Sequence, residues 1–465
     1  MVSMEEFIVS SVKETPNRMQ LCTLIGKTQL QLYSAALAEP LDIVALDNSK
    51  SDIQLEPKNI TGRKASMDKF ESALSALVSN VELHPLQKIG IKPLDEALSS
   101  MEEKLTAAAQ RIIPNFISGA PIIIRFHNDG DGASGAVALY RALEKLGKEA
   151  RLGMSNCIWT MNKGVAYTAQ SLSYDRLRLS SYRSVARPLL LITDFGTLEE
   201  SETAVKNAQE FMDIEWLDHH PVYEGFNGAG VYSYINPWLE GFGSDVTAGA
   251  LTCAVAGKLS GIRVKNLTKA SLLSDHSAYA ENDPEASELA VIMDAMTTDA
   301  SAKGSNITPK NIISTIEDES SHKLVFTQAK SQMDEAVSKG MKYLKTRKAG
   351  NATIATLDYS HISENYYGYV RHGRFTSIFS DSVVEKYGPS ITIVYNKSLA
   401  SIRVSKELSG KLRLLSLISE MKEDTDYISN GGGHNEAASV KLEDEYAMRD
   451  FLALLYTEIA SRLAD

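Results

Sequence analysis

The chain has 465 residues, 43% apolar and 23% charged, an ordinary globular usage that excludes disordered and fibrous classes and predicts about three domains at roughly 150 residues each. Its 48 Lys and Arg against 59 Asp and Glu give a net charge of −11, which argues against gripping a polyanion by net charge and leaves room only for a local basic groove. No run approaches the roughly 18 consecutive apolar residues of a membrane helix, Glu5 and Glu6 stand where a secretory signal would be basic, and Cys22, Cys157 and Cys253 are too scattered for a sulfur site or a disulfide framework. A cytoplasmic protein with no membrane partner is expected.

In chain order, residues 1–112 read as an N-terminal extension with a possible small β unit (Met19–Leu32, Leu41–Leu46) and two helical patterns, Met67–Val81 and Leu94–Ile113. Strand and helix then alternate: strand Ile122–Phe126, helix Ser134–Leu146, strand Leu189–Asp194, helix Ser201–Phe211, strand Ile214–Leu217. Nearly continuous apolar strands separated by helix-sized segments predict an α/β fold with a parallel sheet covered on both faces. Helices dominate from Asp245 to about residue 344, with 311–349 as a connector and Lys345–Gly350 as the expected boundary. A smaller α/β domain over 350–465 follows, with strands Thr353–Leu357, Ser390–Tyr395, Ala400–Ser405 and Ala437–Leu442 and helices Phe375–Tyr387, Lys411–Lys422 and Glu445–Ala464.

Acidic and imidazole side chains gather where the strands of the first α/β domain (113–310) end, which is where open parallel sheets place ligands. They are His127, Asp129 and Asp131; Asp194; Asp218, His219 and His220; and Asp275 in Leu272-Leu-Ser-Asp-His276. Any one such Asp is as readily a helix N-cap, and Asp218-His-His220 alone could be a polar loop. Their recurrence at sheet ends is what a bland reading does not explain. Mixed carboxylate and imidazole ligands suit Mn better than Mg or Ca alone. Seven or eight candidate ligands are too many for one ion, whereas two ions about 3.5–4 Å apart could share a carboxylate, as in phosphoryl hydrolysis. Gly130-Asp-Gly-Ala-Ser-Gly135 also satisfies the dinucleotide-binding GxGxxG pattern, but Asp129 and Asp131 would set negative charge against a pyrophosphate. No GxSxG elbow or Walker loop occurs. In the second domain, Gly431-Gly432-Gly433-His434 could expose backbone N–H groups as an anion nest or form a hairpin turn, and Arg403 on a strand could clamp a phosphate or simply be solvated.

Taken together these motifs resemble the DHH phosphoesterase superfamily: His127-x-Asp129-x-Asp131, Asp194, Asp218-His219-His220 and Asp275 as its four motifs, and Gly431-Gly432-Gly433-His434 as that of its associated second domain. Ser244-Asp-Val-Thr-Ala248 is similar to the helix start after the triplet, and Gly373–Ser405 to the RecJ-like second domain; the fourth motif departs, with Leu-Leu-Ser-Asp where RecJ proteins carry Thr-Val-Ala-Asp. The resemblance spans about residues 113–442 and is nearest to archaeal RecJ-like single-strand exonucleases, leaving 1–112 unmatched. It implies a Mn-dependent phosphodiesterase holding two divalent ions, with Mg or Co as substitutes. One ion would take His127, Asp129 and Asp194, the other Asp131, Asp194, His219 and Asp275, with Asp194 as the bridge. His220 and Arg403 would neutralise charge on the phosphoryl oxygens, Asp218 would orient a ligand histidine, and Arg403 with Gly431–His434 would grip substrate across a cleft. The implied substrate is single-stranded DNA or RNA in repair or replication, with 1–112 as a site for a replication or repair partner or for nucleic acid. The alternatives are an enzyme for short oligoribonucleotides, pAp or a cyclic dinucleotide, and a replication scaffold with a decayed site.

Overall fold

Short alternating apolar runs near the N-terminus form an antiparallel sheet of β1 (Met4–Glu14), β2 (Gln20–Ile25), β3 (Gln29–Ser34), β4 (Asp42–Asp47) and β5 (Ile60–Lys64), in the order β3-β2-β1-β4-β5. The computed structural model describes residues 4–35, 37–47, 54–223, 226, 228–231, 233–363, 368–433 and 436–464, and it divides into two units, Met1–Lys323 and Leu324–Asp465. One face of this first sheet encloses Phe7, Val9, Val12, Cys22, Leu24, Val44 and Leu46. Its other face, with Ile8, Ile25 and Ile43, lies on the α/β body of the same unit, where Ser10 Oγ donates to Ser118 O at 2.7 Å and Gln29 Nε2 to Ala150 O at 2.8 Å. The expected strands Met19–Leu32 and Leu41–Leu46 are therefore β2 to β4 of a sheet built onto the body.

Helix α1 (Met67–Val78) follows, and then two helices where Leu94–Ile113 was expected as one: α2 (Lys92–Ser100) and α3 (Glu102–Ser118). Buried Met101, at φ −96° and ψ 5°, breaks the run, and α3 restarts with Glu102 and Glu103 in its first turn, where acidic groups suit the helix dipole.

The parallel sheet is formed by β6 (Ile122–His127), followed by α4 (Gly130–Ala150), β7 (Cys157–Asn162), α5 (Ala169–Leu179), β8 (Tyr182–Ser184), β9 (Leu189–Thr193), α6 (Glu199–Ala208), β10 (Asp213–Leu217) and β11 (Ser233–Ile235). Its order is β11-β10-β9-β6-β7, all pairs parallel, while β8 leaves it to pair with β1. Ile122, Ile124, Phe126 and Leu191 pack on one face and Ile123, Leu190, Ile192, Ile214 and Trp216 on the other, which is why these strands read as unbroken apolar runs. Strand β7 was not anticipated because Cys157-Ile-Trp-Thr-Met-Asn162 mixes polar with apolar residues; β8 and β11 have three residues each. Helices α7 (Ala248–Ser260), α8 (Lys265–Ser274), α9 (Pro284–Ala302) and α10 (Pro309–Glu317) complete the unit, and α11 (Glu319–Tyr343) begins in it. Among the described residues no helix is long and apolar enough to cross a membrane.

The glycines of the GxGxxG pattern are explained by packing. A Cβ on Gly130 would strike Ser274 Oγ at 1.9 Å, one on Gly132 the His127 backbone at 2.7 Å, and one on Gly135 Thr252 Cβ at 2.8 Å where α4 crosses α7. They let α4 begin directly beneath the end of β6.

The second unit holds a mixed sheet of β12 (Lys345–Ala349), β13 (Ala352–Asp358), β14 (Ser390–Tyr395), β15 (Leu399–Val404), β16 (Ile428–Gly433) and β17 (Ala437–Leu442), in the order β12-β13-β14-β15-β17-β16. Helices α12 (Ser360–Ser363), α13 (His372–Tyr387), α14 (Lys406–Leu412), α15 (Leu414–Glu423) and α16 (Ala447–Ala464) accompany it. The segment Lys345–Gly350, expected as a boundary, is largely the strand β12; as a mostly exposed edge strand it carries lysine and arginine in place of an apolar face. The helix expected over Lys411–Lys422 is split by Arg413, at φ 47°.

One buried charge pair ties the strand that carries His127 to its surroundings. Arg125 Nε and Nη2 donate to Asp175 Oδ2 and Oδ1, both at 2.8 Å, Nη1 donates to Asn162 Oδ1 at 3.1 Å, and Tyr167 Oη donates to Asp175 Oδ2 at 2.9 Å. Both charges are almost wholly removed from water, so deleting one partner strands the other. Asp175→Ala should lower the unfolding free energy of the first unit by about 3–5 kcal/mol, measured by denaturant titration; a cost under about 1 kcal/mol would show that Arg125 escapes to solvent.

Candidate metal centre

Asp194 ends β9 in the left-handed region, at φ 67°, and its N–H donates to Leu217 O at 3.0 Å. A non-glycine residue held there carries backbone strain, of order 1–3 kcal/mol. The turn buries the carboxylate between two histidines: Oδ2 lies 3.7 Å from His127 Nδ1 and Oδ1 lies 3.4 Å from His219 Nε2. Asp194 consequently belongs to two groups whose potential ligand atoms lie within 4.8 Å of one another, one with His127 and Asp129 and one with His219 and His220.

The first group is set by the turn from β6 into α4. Asp129 caps α4 by accepting from Gly132 N–H at 3.1 Å through Oδ1, while its Oδ2 lies 2.5 Å from His127 Nδ1. The N-cap reading and the ligand reading thus use different oxygens of one side chain. Burial alone would pull the His127 imidazolium down, but the Asp129 charge and hydrogen bond and then Asp194 push it up to about 10.

The second group is anchored by backbone. His219 Nδ1 donates to Ser244 O at 2.9 Å, which leaves Nε2 for Asp194 and, at 4.0 Å, for Asp131 Oδ2. Asp218 is fully buried and accepts from Thr197 N–H, Thr197 Oγ1, His219 N–H and His220 Nδ1, at 3.0, 2.6, 2.8 and 2.7 Å. Burial would raise its carboxyl, but the charge and hydrogen bond of His220, with His219 and Thr197, hold it well below the usual carboxylate range. Asp218 therefore orients His220, the histidine not expected as a ligand, and Ser244 O orients His219.

Asp131, buried on the first turn of α4, accepts from Gly249 N–H at 3.0 Å and from Ser271 Oγ through Oδ1. Its Oδ2, like Asp194 Oδ2, is buried without a hydrogen-bond partner among the described residues. Burial and then the Asp194 charge raise its carboxyl well above the ordinary value, against His219. Asp275 ends α8 with two fifths of its side chain exposed and lies 3.7 Å from His219 Nδ1, so it approaches the ring from the Ser244 side. Its carboxyl is pushed up to about 6 by the desolvating side chains crowded around it and, against the pull of His219, by the Asp194 and Asp129 charges.

Two buried carboxylate oxygens with no donor, surrounded by groups that perturb chiefly one another, fit a cation. Divalent ions match this donor set of hard oxygens and imidazole nitrogens. Sequence reasoning missed Asp294 of α9, which accepts from Gly130 N–H at 2.6 Å and Ser274 Oγ at 3.0 Å and holds the α4 turn. An acidic residue in an otherwise apolar helical stretch was the available signal.

The other candidates belong to the second unit. Arg403 lies on β15 opposite Thr392 of β14 and Ala437 of β17, and its charge bears on Asp381 of α13. Gly431, Gly432 and Gly433 are an extended edge strand paired antiparallel with Val440, Ser439 and Ala438, where the sequence allowed an anion nest or a hairpin turn. Gly431 is needed because a Cβ there would meet Ile418 Cγ2 at 2.7 Å. His434 lies outside the described residues.

The Asp218–His220 pair gives a direct check. In the metal-free protein, burial opposes the His220 imidazolium while the Asp218 charge and hydrogen bond more than offset it, so its pKa is raised. Asp218→Asn should shift the His220 titration to lower pH in an NMR titration without divalent ions; an unmoved titration would detach Asp218 from His220.

The chain matches no protein-family profile. An uncharacterized protein of Methanocaldococcus jannaschii is 23% identical over 89% of this chain, and this chain spans 61% of that relative's length. Among solved structures, a DHH domain described as a member of the s1p family of ribosomal proteins superposes with a TM-score of 0.69 at 21% identity, over 84% of this chain and 97% of that one. RecJ of Thermus thermophilus with Mn2+ superposes with a TM-score of 0.49 at 15% identity, over 84% of this chain and 57% of that one, too loosely to transfer chemistry. The chain has the α/β fold of a DHH-domain protein.

Proposed function

We propose that the chain is a metal-dependent phosphodiesterase, acting as a RecJ-like exonuclease on single-stranded DNA or RNA with two divalent ions, Mn preferred. The observation that carries this reading is Asp194, whose two oxygens face His127 and His219 separately. His127, Asp129 and Asp194 would hold one ion; Asp194, Asp131 and His219 the other, with Asp275 at the rim and His220 beside it. Such ions supply a lowered water pKa and charge neutralisation on phosphoryl oxygens. His220, fixed through Nδ1 by Asp218, is left with Nε2 to donate a hydrogen bond or a proton to a phosphoryl or leaving oxygen. The decayed-scaffold alternative is disfavoured because all the expected ligand side chains remain, with His127, Asp129 and His219 grouped with Asp194 and with Asp131 and Asp275 beside His219. In the second unit, Arg403 and the outward N–H groups of β16 are assigned to substrate rather than to the ions.

Hydrolysis of a single-stranded oligonucleotide should require added Mn2+ or a similar ion and stop in excess EDTA. Asp194→Ala should remove most bound metal, read by elemental analysis, and lower kcat at least 100-fold, which corresponds to about 2.7 kcal/mol. Near-normal turnover with two bound metals in Asp194→Ala would end this reading.

Arg403→Ala should leave metal content unchanged and mainly raise KM, by roughly 5- to 150-fold if it makes a charged hydrogen bond worth about 1–3 kcal/mol. Loss of metal in this variant would move Arg403 into the ion site. A product ladder from end-labelled oligomers, compared with dinucleotides, pAp and a cyclic dinucleotide, identifies the preferred length.

A further inference from the structure

Of the three tryptophans, Trp159 and Trp216 are buried, 7% and 0% exposed, while Trp238 is 44% exposed. Trp238 lies in the single 3-10 turn Pro237–Glu240 just after β11, with Asn236 as its cap. Its indole edge is fixed twice, because Nε1 donates to His219 O at 3.1 Å and to Ser244 Oγ at 3.0 Å, and Ser244 Oγ itself donates to His219 O at 2.8 Å. The backbone of the turn is held by the same surroundings: Asn236 Nδ2 donates to His220 O at 3.0 Å and to Tyr234 Oη at 2.7 Å, and Tyr234 packs edge-on against Trp216. The far end of the turn is pinned by the ion pair of Glu240 with Lys104 of α3. Beside it Leu239 is 52% exposed.

An indole tethered by its polar edge and leaving much of its surface in water spends none of that area on the core. It is a rigid apolar surface hung from the carbonyl of His219, one of the residues facing Asp194. The base of a nucleotide is separated from its phosphate by a single sugar. A phosphate engaged at His219 and His220 therefore brings a neighbouring base within reach of the Trp238 ring. Stacking on an indole is sequence-tolerant and does not depend on charge, which suits a chain of net charge −11.

We infer that Trp238 is the stacking platform for the nucleobase next to the scissile phosphate, making a base-bearing single strand the substrate class of this centre. This rests on the phosphodiesterase reading above. Trp238 acts as a binding residue for the base and has no part in holding the ions.

The test compares wild type, Trp238→Ala and Trp238→Phe on a short thymidine oligonucleotide and on an oligomer of the same length made of abasic sugars. With Trp238→Ala, KM for the thymidine oligomer should rise about fivefold or more, the lower end of base stacking on aromatic side chains, with kcat and metal content little changed and the abasic oligomer unaffected. Trp238→Phe keeps a ring and loses the indole N–H, so it should retain most of the affinity. An equal loss on both oligomers, or a Phe variant as impaired as the Ala variant, would overturn the inference and assign Trp238 to supporting the His219 backbone. Binding is also read without turnover: in EDTA with Ca2+-free buffer, then with Ca2+ in place of Mn2+, the thymidine oligomer should quench wild-type tryptophan fluorescence, and Trp238→Phe should lose that quench. Quenching without hydrolysis would sink the phosphodiesterase reading while keeping the platform; hydrolysis without quenching would do the reverse.

Discussion

Asp194 must put a carboxylate, buried and at a strand end, between two imidazoles that arrive from opposite sides. The backbone meets that demand by turning left-handed at φ 67° immediately after β9, a conformation that an L-residue adopts at a cost. Everything around it can be understood as a consequence. Strand β6 delivers His127 on one flank and the loop after β10 delivers His219 on the other, because β9 lies between β6 and β10 in the sheet. A sheet with any other order of these three strands would separate the histidines.

Charge imposes the next constraint. Asp129, Asp131, Asp194 and Asp275 crowd one another and face His127 and His219, so without cations the centre settles by holding protons: the Asp131 and Asp275 carboxyls are raised, and so are His127 and His219. Ligation needs neutral imidazole and ionised carboxylate, so ions entering this site displace protons and bind more tightly as pH rises. Asp218 stands apart from this exchange. Its hydrogen bonds from Thr197, His219 and His220 keep it ionised, which is why it can hold His220 in one orientation whether or not protons leave the rest of the cluster.

The parallel sheet and the carboxylates at its ends were legible in the sequence, because strands covered on both faces show as runs such as Ile122-Ile-Ile and Leu189-Leu-Leu-Ile, and an Asp that closes such a run is conspicuous. What could not be read was which donor satisfies which acceptor. Asp218 serves His220 rather than His219, and Ser244 offers its carbonyl, not its hydroxyl, to His219 Nδ1; both depend on loop paths that periodicity does not encode. The glycine run misled for a related reason. Gly431–Gly433 has the composition of a loop, yet it forms β16, since β17 supplies the partners and α15 leaves no room for a Cβ at Gly431. The N-terminal strands were legible only in part because both faces of their sheet are covered, one with Phe7, Leu24 and Val44 and the other with Ile8, Ile25 and the hydrogen-bonded Ser10 against the body, which removes the alternation a solvent-facing sheet would show.

Grip and chemistry face opposite electrostatic requirements in a chain of net charge −11. On the proposed reading the cluster exchanges its protons for divalent ions, and the ions give His219 and His220 the positive surroundings an anionic phosphate needs. That reading implies an order, cations before substrate, without any moving part. Contacts that ignore charge escape that order, and the exposed indole tethered to the His219 carbonyl is one such contact. On the proposed reading, this division leaves the acidic cluster to the ions alone and gives the contact with the base to the indole.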